Sequence, residues 1–401
     1  MSTVDVPRGV PLDRPNPFDP STSLAEIRAT RPVSRMIFFP DEHLGWFVTD
    51  HGLARQVLAD TRFSSASLTP RSPVDAPFLF NKVQKVPVDP GTFIRMDPPD
   101  HTRLRRKLTG VFTVRRMNEL EDRVSQIVDL HLDAMESQPR PVDLVKHFAL
   151  PIPSMVICEL LGVPYEEREQ FEARTRHMFS LSTKPEDRLS HMKAIQGFIA
   201  ALAVGKRSDP ADDLLSDLTR DEDLTDDELA GMGFLLLVAG HETTANMLGL
   251  GTFALLEHPE QAALLRSEPE LMPKAVEELL RYLSVIHLGP RREAIEDIEL
   301  AGHHIKKGEQ VLISVPAANR DPAKFDDPDV LDVTRNATGH LAFGHGVHQC
   351  LGQQLARIEM RTAFDALLRR FPTLRLAVPA EEVPLRTDMG IYGVHSLPVT
   401  W

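Results

Sequence analysis

Apolar positions recur at helical spacing along most of the chain, and only two short segments have the pattern of strands. In residues 119–136, six apolar side chains lie on one face of a helix of period 3.6. Residues 225–257 begin with Thr225 and three acidic residues, as helices often do, and continue through an apolar run. Because this helix is apolar on nearly all sides, we expect it to cross the middle of the protein. β-Branched and aromatic residues predict strands at 43–49 and 309–315.

The chain changes character between residues 316 and 349. Pro, Asn, Asp and Gly are frequent there, and little helical or strand periodicity is visible. A helical pattern resumes at 351–370. Long irregular segments inside a compact domain are usually functional, so the residues that end this segment are candidates for a site.

The composition narrows the class of protein. The 401 residues carry a net charge of −13, which argues against nucleic acid or an anionic membrane as a main partner. The N-terminal segment is polar and Pro-rich, and no apolar run reaches the ~20 residues of a membrane span. Two cysteines, Cys158 and Cys350, are too few for a disulfide framework. We therefore expect a cytoplasmic protein, and the length alone suggests two or more domains.

The sequence FGHGVHQCLG (343–352) places Cys350 directly before the last helical pattern, among three glycines. Glycine permits a positive φ and the close approach of a flat ligand, and a helix N-terminus favours a thiolate. A buried structural cysteine is one interpretation, and a catalytic pair with His345 or His348 is another. Neither explains the phenylalanine and the spaced glycines together.

The sequence AGHETT (239–244) puts an acid and two hydroxyls inside the apolar helix. Thr can bond to the carbonyl four residues earlier, and Gly240 weakens the same turn, so a bend is expected here. A buried acid is costly unless it is partnered or functional. A satisfied buried polar cluster is the structural alternative.

Two charged pairs stand at helical spacing. Glu278 and Arg281 are three residues apart, and His101 and Arg105 are four apart, so each pair shares one helix face. Pairs of this kind are usually solvated surface contacts. Neither pair indicates a site when it is considered alone.

Together these motifs resemble those of the cytochrome P450 family. Residues 343–352 match its heme-binding pattern, Phe-x-x-Gly-x-x-x-Cys-x-Gly, at every fixed position. Residues 239–244 match its Ala-Gly-x-Glu/Asp-Thr-Thr pattern. The two charged pairs match its Glu-x-x-Arg and His-x-x-x-Arg patterns, and all four motifs follow the family's order. The chain is most similar to soluble actinobacterial members that tailor natural products.

The resemblance implies a role for each motif residue. Cys350 is expected to be the thiolate ligand of the iron in heme b, a ligation that favours O–O cleavage. Thr243 is expected to hydrogen-bond the co-substrate O₂, and Glu242 to relay protons to it. Further contacts with heme or its propionates are expected from His101, Arg105, Arg292, His348, Phe343, Gly346, Gly352, Ala239 and Gly240.

The Glu278–Arg281 pair is expected to be structural, holding its helix to the loop before Cys350. Many members complete this network with an arginine from the irregular segment, but this chain has Val330 at the matching place. The candidates to complete the network are Asn319, Arg320 and Arg335.

The implied fold is mainly α with a small β-rich lobe, a single triangular domain over residues 1–401 with an extended N-terminal arm at approximately 1–30. This replaces the multi-domain expectation from length. The implied reaction is hydroxylation or epoxidation of a bulky lipophilic molecule, such as a macrolide, polyketide or terpenoid of antibiotic biosynthesis. Ferredoxin and ferredoxin reductase are the expected electron donors. A steroid- or xenobiotic-oxidising member and a non-catalytic heme sensor are the alternatives.

Apolar positions near the implied heme are the candidates for a substrate pocket. They are Phe78, Phe80, Phe93, Met178, Phe179, Leu236, Ile286, Leu288, Ile391 and Tyr392. A basic patch on this acidic protein is expected to dock an acidic redox partner. Its members are Arg103, Arg106, Lys107, Arg115 and Arg116.

Overall fold

Helices form the larger part of the computed structural model, which describes residues 6–67, 69, 71–76 and 87–401. In sequence order they are α1 (Thr22–Thr30), α2 (His51–Ala59), α3 (Asp100–Thr109), α4 (Val114–Glu119), α5 (Glu121–Glu136), α6 (Pro151–Leu161), α7 (Arg168–Phe179), α8 (Pro185–Ser208), α9 (Leu214–Thr219), α10 (Asp226–Glu257), α11 (Pro259–Ser267), α12 (Met272–Leu283), α13 (Val315–Asn319) and α14 (Gln353–Arg370). A π-helical segment, Val145–Ala149, leads directly into α6.

The strands of the described residues form three small sheets. They are β1 (Val33–Phe38), β2 (His43–Val48), β3 (Phe63–Ser64), β4 (Val142–Asp143), β5 (Arg291–Ala294), β6 (Ile298–Leu300), β7 (His303–Ile305), β8 (Gln310–Ile313), β9 (Arg375–Leu376) and β10 (Pro398–Thr400). The largest sheet has the order β1-β2-β8-β5-β3, β10 lies between β4 and β9, and β6 pairs with β7. Only β2 and β8 among these pairs are parallel. The large sheet therefore joins the start of the chain to its last third.

Helix α10 crosses the α-helical core. Its N-cap Thr225 accepts a hydrogen bond from the Glu228 N–H, and the Glu228 carboxylate accepts one from the Thr225 N–H. With 32 residues the helix is about 48 Å long. Its side chains are buried on most sides because α6, α8, α12 and α14 all pack against it. The central helix predicted from the sequence is present, and it begins where the sequence indicates.

The segment before Cys350 lies where two apolar cores meet. Leu341 belongs to the core between the large sheet and α2, together with Val48 and Ile313. Phe343 and Leu351 pack against the larger core around α10. The cysteine loop is thus held between the β-rich part and the helical part of the molecule.

The structure shows the predicted fold class, mainly α with a small β-rich part. The strand predicted at 43–49 is β2, and the one at 309–315 is β8. The helical pattern at 119–136 is divided at Leu120, which ends α4 and begins α5. In the part of the chain that the structure describes, no helix is long and apolar enough to cross a membrane.

Candidate functional site

The loop at Cys350 is shaped by backbone contacts. The Cys350 N–H donates to the Phe343 carbonyl at 2.8 Å. Gly346 has a φ of +73°, and a Cβ there would lie 2.4 Å from the Leu58 carbonyl oxygen of α2. Only glycine fits this position, since both the dihedral and the close approach exclude a side chain. At Gly352, by contrast, a Cβ would meet no described atom within 4 Å.

The two cysteines differ in their surroundings. Burial raises the pKa of the Cys350 thiol, but the Gly352 N–H and the cations of Arg105 and Arg357 act to lower it. Burial, together with the nearby acid Glu172, raises the pKa of Cys158 to about 12. Hydrogen-bond donors and cations favour a thiolate. Cys350 is therefore the cysteine suited to bind a metal.

Phe343 is half-buried beside the cysteine loop. The Arg357 guanidinium lies 4.5 Å from the centre of its ring, in position for a cation–π contact. Arg357 in turn donates to the Glu277 carboxylate at 2.6 Å. The phenylalanine is thus fixed by α14 and α12 together.

A short accessible face interrupts the buried surface of α10. Ala239 is exposed, and Gly240 and Thr243 are partly accessible, although the turns on either side are mostly buried. The Thr243 hydroxyl donates to the Ala239 carbonyl at 3.0 Å, the back-bond that the sequence predicts. A Cβ at Gly240 would lie 2.9 Å from the Ile157 side chain of α6. The accessible hydroxyl retains lone pairs that can accept a further hydrogen bond.

Glu242 is buried directly before this hydroxyl. Its side chain is only 4% exposed, and its carboxylate forms an ion pair with the buried Arg386. The Asn246 amide donates to the Glu242 carbonyl at 2.7 Å and lies 3.4 Å from its Oε1. The buried acid is thus partnered. No motif singled out Arg386, because it is a lone arginine 144 residues away along the chain.

Four nitrogen-bearing side chains come together beside the cysteine loop. The rings of His101 and His348 lie 4.3 Å apart, centre to centre. Burial, together with the nearby Arg292, His101 and Arg105, lowers the pKa of His348 to about 3. Burial also lowers the pKa of Arg105, and it lowers that of Arg292 to about 10. The four residues predicted to contact the propionates therefore lie close together, with His101 and Arg292 buried and Arg105 and His348 partly accessible.

This cluster fits an anionic ligand with more than one carboxylate. Both ring nitrogens of His101 are buried without a hydrogen-bond partner among the described residues, and buried polar atoms normally have one. The nearby Asp97 is already engaged by the Ser64 hydroxyl and by the Ser65 N–H at 2.9 Å. Guanidinium groups bind carboxylates in bidentate fashion. The two propionates of heme have the chemistry that this donor set requires.

The structure also distinguishes Arg292 from its neighbour Arg291. Arg291 donates to the Arg71 carbonyl at 2.6 Å. Arg292 instead lies close enough to His348 for its charge to lower the pKa of that imidazole. Of the two arginines, Arg292 is the one placed with the predicted propionate contacts.

The Glu278–Arg281 pair is completed by Arg335. Arg281 is fully buried and donates to Glu278 at 2.7 and 2.8 Å. Its third nitrogen donates to the carbonyls of Asn319 and Pro328 at 2.9 and 2.7 Å. Arg335 donates to the second carboxylate oxygen at 3.1 Å. The network therefore joins α12 to the start and the middle of the irregular segment without a side chain at 330.

The other two candidates have different partners. The Asn319 side chain accepts from the Leu341 N–H at 2.6 Å, and thereby holds the chain close to the cysteine loop. Arg320 pairs with Asp329 at 2.9 Å and with Asp19 at 3.1 Å. Both residues stabilise the same region, but neither contacts Glu278 in the hydrogen bonds of the described chain.

The predicted pocket residues fall into three groups. Phe78 and Phe80 lie outside the described residues. Partly accessible are Met178, Phe179, Ile286 and Leu288, and buried are Phe93, Leu236, Ile391 and Tyr392. The Tyr392 hydroxyl donates to the Pro17 carbonyl at 2.7 Å, and Arg14 covers its ring at 3.5 Å. Most of Tyr392 is therefore engaged in packing, whereas the partly accessible group can still meet a ligand.

The predicted basic patch is largely neutralised within the chain. Arg103 pairs with Glu228, and Lys107 lies 2.7 Å from Asp221. The pairs Arg115–Glu119 and Arg116–Asp217 are at 3.2 and 3.6 Å. Three of these partners belong to the acidic segment 209–228, which packs beside α3. The sequence alone does not indicate this contact. Four of the five residues therefore have acidic partners, and of the five only Arg106 is exposed with no ion pair in the described chain. The docking role of the patch stays a prediction.

Glu359 of α14 offers a test of stability against pH. It is 2% exposed, its Oε2 has no partner among the described residues, and burial raises its pKa to about 8. In the unfolded chain a glutamate has a pKa of about 4.3, whereas the folded protein keeps this carboxyl protonated up to a higher pH. The free energy of unfolding is therefore highest below about pH 4.3 and falls as the pH rises toward 8. Gln does not ionise, so the stability of Glu359→Gln relative to the parent should rise by about 3–4 kcal/mol between pH 5 and pH 8. Any cost of the buried amide is the same at both pH values and cancels in this comparison.

Thermal unfolding at the two pH values measures this effect. The control is Glu382→Gln, since Glu382 is exposed and its replacement should change neither melting temperature by much. Equal stabilisation of Glu359→Gln at both pH values would show that ionisation of this carboxyl is not the cause.

Comparisons with known proteins agree with this geometry. A family model described as Cytochrome P450 matches residues 190–394. The chain is 50% identical over 389 residues to Cytochrome P450 105C1 from a Streptomyces species, with 97% of both chains covered. It is 45% identical over 404 residues to pentalenic acid synthase from Streptomyces avermitilis, covering 100% of this chain and 99% of the relative.

A solved structure extends the similarity to the whole fold. The crystal structure of CYP105P1 in complex with filipin I superposes with a TM-score of 0.93 at 44% identity. The match covers 99% of each chain. The fold expected from the motifs is thereby confirmed.

Proposed function

Because this chain belongs to the cytochrome P450 family, we propose that it oxidises a bulky, lipophilic product of secondary metabolism. The observation that carries the proposal is the accessible face of α10 at Ala239 and Thr243, with the accessible apolar residues Ile286 and Leu288 as further pocket positions. Apolar pockets with a few polar groups are typical small-molecule sites. A relative named pentalenic acid synthase and a solved relative that holds filipin I support a substrate of this class.

The expected enzyme class and cofactor are confirmed by the family. The chain is a cytochrome P450 monooxygenase with heme b as cofactor and O₂ as co-substrate. When bound, the heme supplies the activation of O₂ and the transfer of one oxygen atom to the substrate. The protein supplies binding, orientation and protons.

The residues that hold the heme divide into two groups. Cys350 would bind the iron through its sulfur, with the Gly352 N–H donating to the same atom. Such a donor tempers the charge of the thiolate. The second group, His101, Arg105, Arg292 and His348, would bind the propionates. The fully buried His101 is then supplied with the partners that its ring nitrogens need.

Proton delivery is assigned to Thr243 and Glu242. The Thr243 hydroxyl lies on the accessible face and donates to the Ala239 carbonyl, so its lone pairs can accept a proton. Rotation of the hydroxyl would then turn its hydrogen toward the reacting oxygen. Glu242 precedes Thr243 and is anchored by Arg386 and Asn246. A positioned acid near a proton-accepting group is the arrangement that general-acid catalysis requires.

The bacterial relatives imply that a redox partner supplies the electrons. We propose that the partner is a ferredoxin, itself reduced by a ferredoxin reductase, in the cytoplasm. Val347, at 43% exposed, is the most exposed residue of the cysteine loop. Docking over this side would bring the partner nearest to Cys350, and the exposed Arg106 on α3 offers a free positive charge for an acidic partner.

A titration screen tests the substrate class. Lipophilic natural products should shift the Soret band to shorter wavelength with a dissociation constant of about 1–100 μM, in the usual range for enzyme substrates. With reductant, the product should gain one oxygen atom that derives from isotopically labelled O₂. Small hydrophilic metabolites are the control panel. A shift produced only by that panel would contradict the proposal.

A further inference from the structure

The two oxygens of the Glu242 carboxylate have different surroundings. Oε1 carries the ion pair with Arg386 and lies 3.4 Å from the Asn246 amide. Oε2 faces the imidazole of the preceding residue, with His241 Nε2 at 3.8 Å. One oxygen is therefore held by two partners, and in the hydrogen bonds and ion pairs of the described chain the other meets the imidazole alone.

The tautomer of His241 follows from its other nitrogen. Nδ1 lies 2.9 Å from the Leu237 carbonyl oxygen. A carbonyl only accepts hydrogen bonds, so Nδ1 carries the hydrogen. Nε2 is then the atom that gains or loses a proton when the ring changes charge.

Nε2 is also the atom that packing leaves unsatisfied. The His241 side chain is fully buried, and its ring packs edge-on against Phe171 of α7 with centres 5.3 Å apart. Nε2 has no hydrogen-bond partner among the described residues. A buried polar atom in this state requires an explanation, because an apolar ring would pack against Phe171 equally well.

A single hydrogen between His241 Nε2 and Glu242 Oε2 would give both atoms a partner. A neutral Nε2 and an ionised Oε2 are both acceptors, but a single hydrogen between them satisfies both. Their separation exceeds a hydrogen bond by only about 0.6 Å, which a small side-chain rotation removes. On α7, Arg168 and Glu172 flank Phe171 along the chain and pair with each other at 3.3 Å, so their charges largely cancel.

We propose that His241 is a positioning residue that holds the proton used to recharge Glu242, while Arg386 keeps the carboxylate in place. The Nε2–H bond breaks and an Oε2–H bond forms, which leaves a neutral imidazole and a neutral carboxyl. Because the side chain is fully buried, the proton that recharges the ring has to reach Nε2 from outside this buried cluster. This inference rests on the proposed role of Glu242 as the proton donor for Thr243.

The first experiment needs no turnover. The ring nitrogens of ¹⁵N-labelled histidine are recorded in the reduced, carbon monoxide-bound holoenzyme, and the His241 signals are identified by their loss in His241→Gln. At one fixed pH, Glu242→Gln should move the Nε2 signal toward the value of a neutral ring, because the carboxylate charge that favours the protonated ring is gone. An Nε2 signal that is unchanged in Glu242→Gln would overturn the proposal.

The second experiment measures how electrons are used with a substrate found by titration. His241→Gln should raise the ratio of released peroxide to product about tenfold, and the double variant with Glu242→Gln should be no worse than Glu242→Gln alone. His258→Gln is the matched control, because His258 makes the same Nδ1 contact with the Ala254 carbonyl at 2.8 Å near the other end of α10.

The outcomes separate the two claims. If Glu242→Gln leaves the ratio unchanged, the proposed role of Glu242 itself is wrong. If Glu242→Gln raises the ratio and His241→Gln matches the parent, only the inference about His241 is wrong. Heme content and the nitrogen signals of the other histidines show whether His241→Gln is folded, and the comparison of the parent with Glu242→Gln stands without that variant.

Discussion

Cys350→Ala should lose the Soret band that a thiolate-ligated heme shows after reduction with carbon monoxide. Alanine has no ligand atom, and the Gly352 N–H and Arg105 no longer act on a sulfur. We expect complete loss of the thiolate spectrum, with heme either released or bound through another ligand. The reduced carbon monoxide difference spectrum measures this directly.

Cys158→Ala is the matched control. Cys158 is buried in α6, and its thiol is shifted strongly toward the protonated form. Its replacement removes one sulfur from a packed core, so it should cost modest stability and leave the spectrum unchanged. A thiolate spectrum that survives in Cys350→Ala, or disappears in Cys158→Ala, would refute the ligand assignment.

Glu278→Ala should be among the most destabilising substitutions on the surface of α12 that faces the irregular segment. It leaves the fully buried Arg281 without its carboxylate and removes the partner of Arg335. Loss of one member of a buried ion pair costs about 3–5 kcal/mol, because an unpaired charge remains inside. Urea unfolding followed by circular dichroism measures the change, and heme retention should fall with it.

An exposed ion pair provides the comparison. Glu119 pairs with Arg115 at 3.2 Å, but both side chains are more than half exposed. Glu119→Ala should change the free energy of unfolding by about 0.5 kcal/mol at most. If Glu278→Ala behaves like Glu119→Ala, the network around Arg281 does not hold the irregular segment.

The sequence predicts best those structural features that depend on residues close together along the chain. The capping residues and the apolar run of α10 are local signals, and so is the spacing of the glycines around Cys350. The helix and the loop are therefore placed correctly before any tertiary contact is known. Strands of two residues, such as β3 and β4, are too short to show alternation, and only their partners reveal them.

What the sequence does not predict are pairings across long stretches of chain. The sequence offers Arg335 as only one of three candidates to reach Glu278 over 57 residues, and it gives no sign of Arg386, which reaches Glu242 over 144. A single arginine leaves no periodic signal, so such partners are found only once the chain is folded. The same holds for the acidic segment that neutralises Lys107. The extent of the domain and the individual pocket residues remain predictions.

The C-terminal segment that carries Arg386 also limits how this protein can be engineered. The Arg386 N–H donates to the Gly393 carbonyl at 2.9 Å, and a Cβ at Gly393 would lie 2.1 Å from the Asn246 side chain. Between these two fixed residues lies Ile391, a predicted pocket position. A library that varies Ile391 while it keeps Arg386 and Gly393 should therefore change substrate preference with little loss of coupling. A library that varies all three residues would change both the substrate preference and the fraction of electrons lost to peroxide. The two effects could then not be separated.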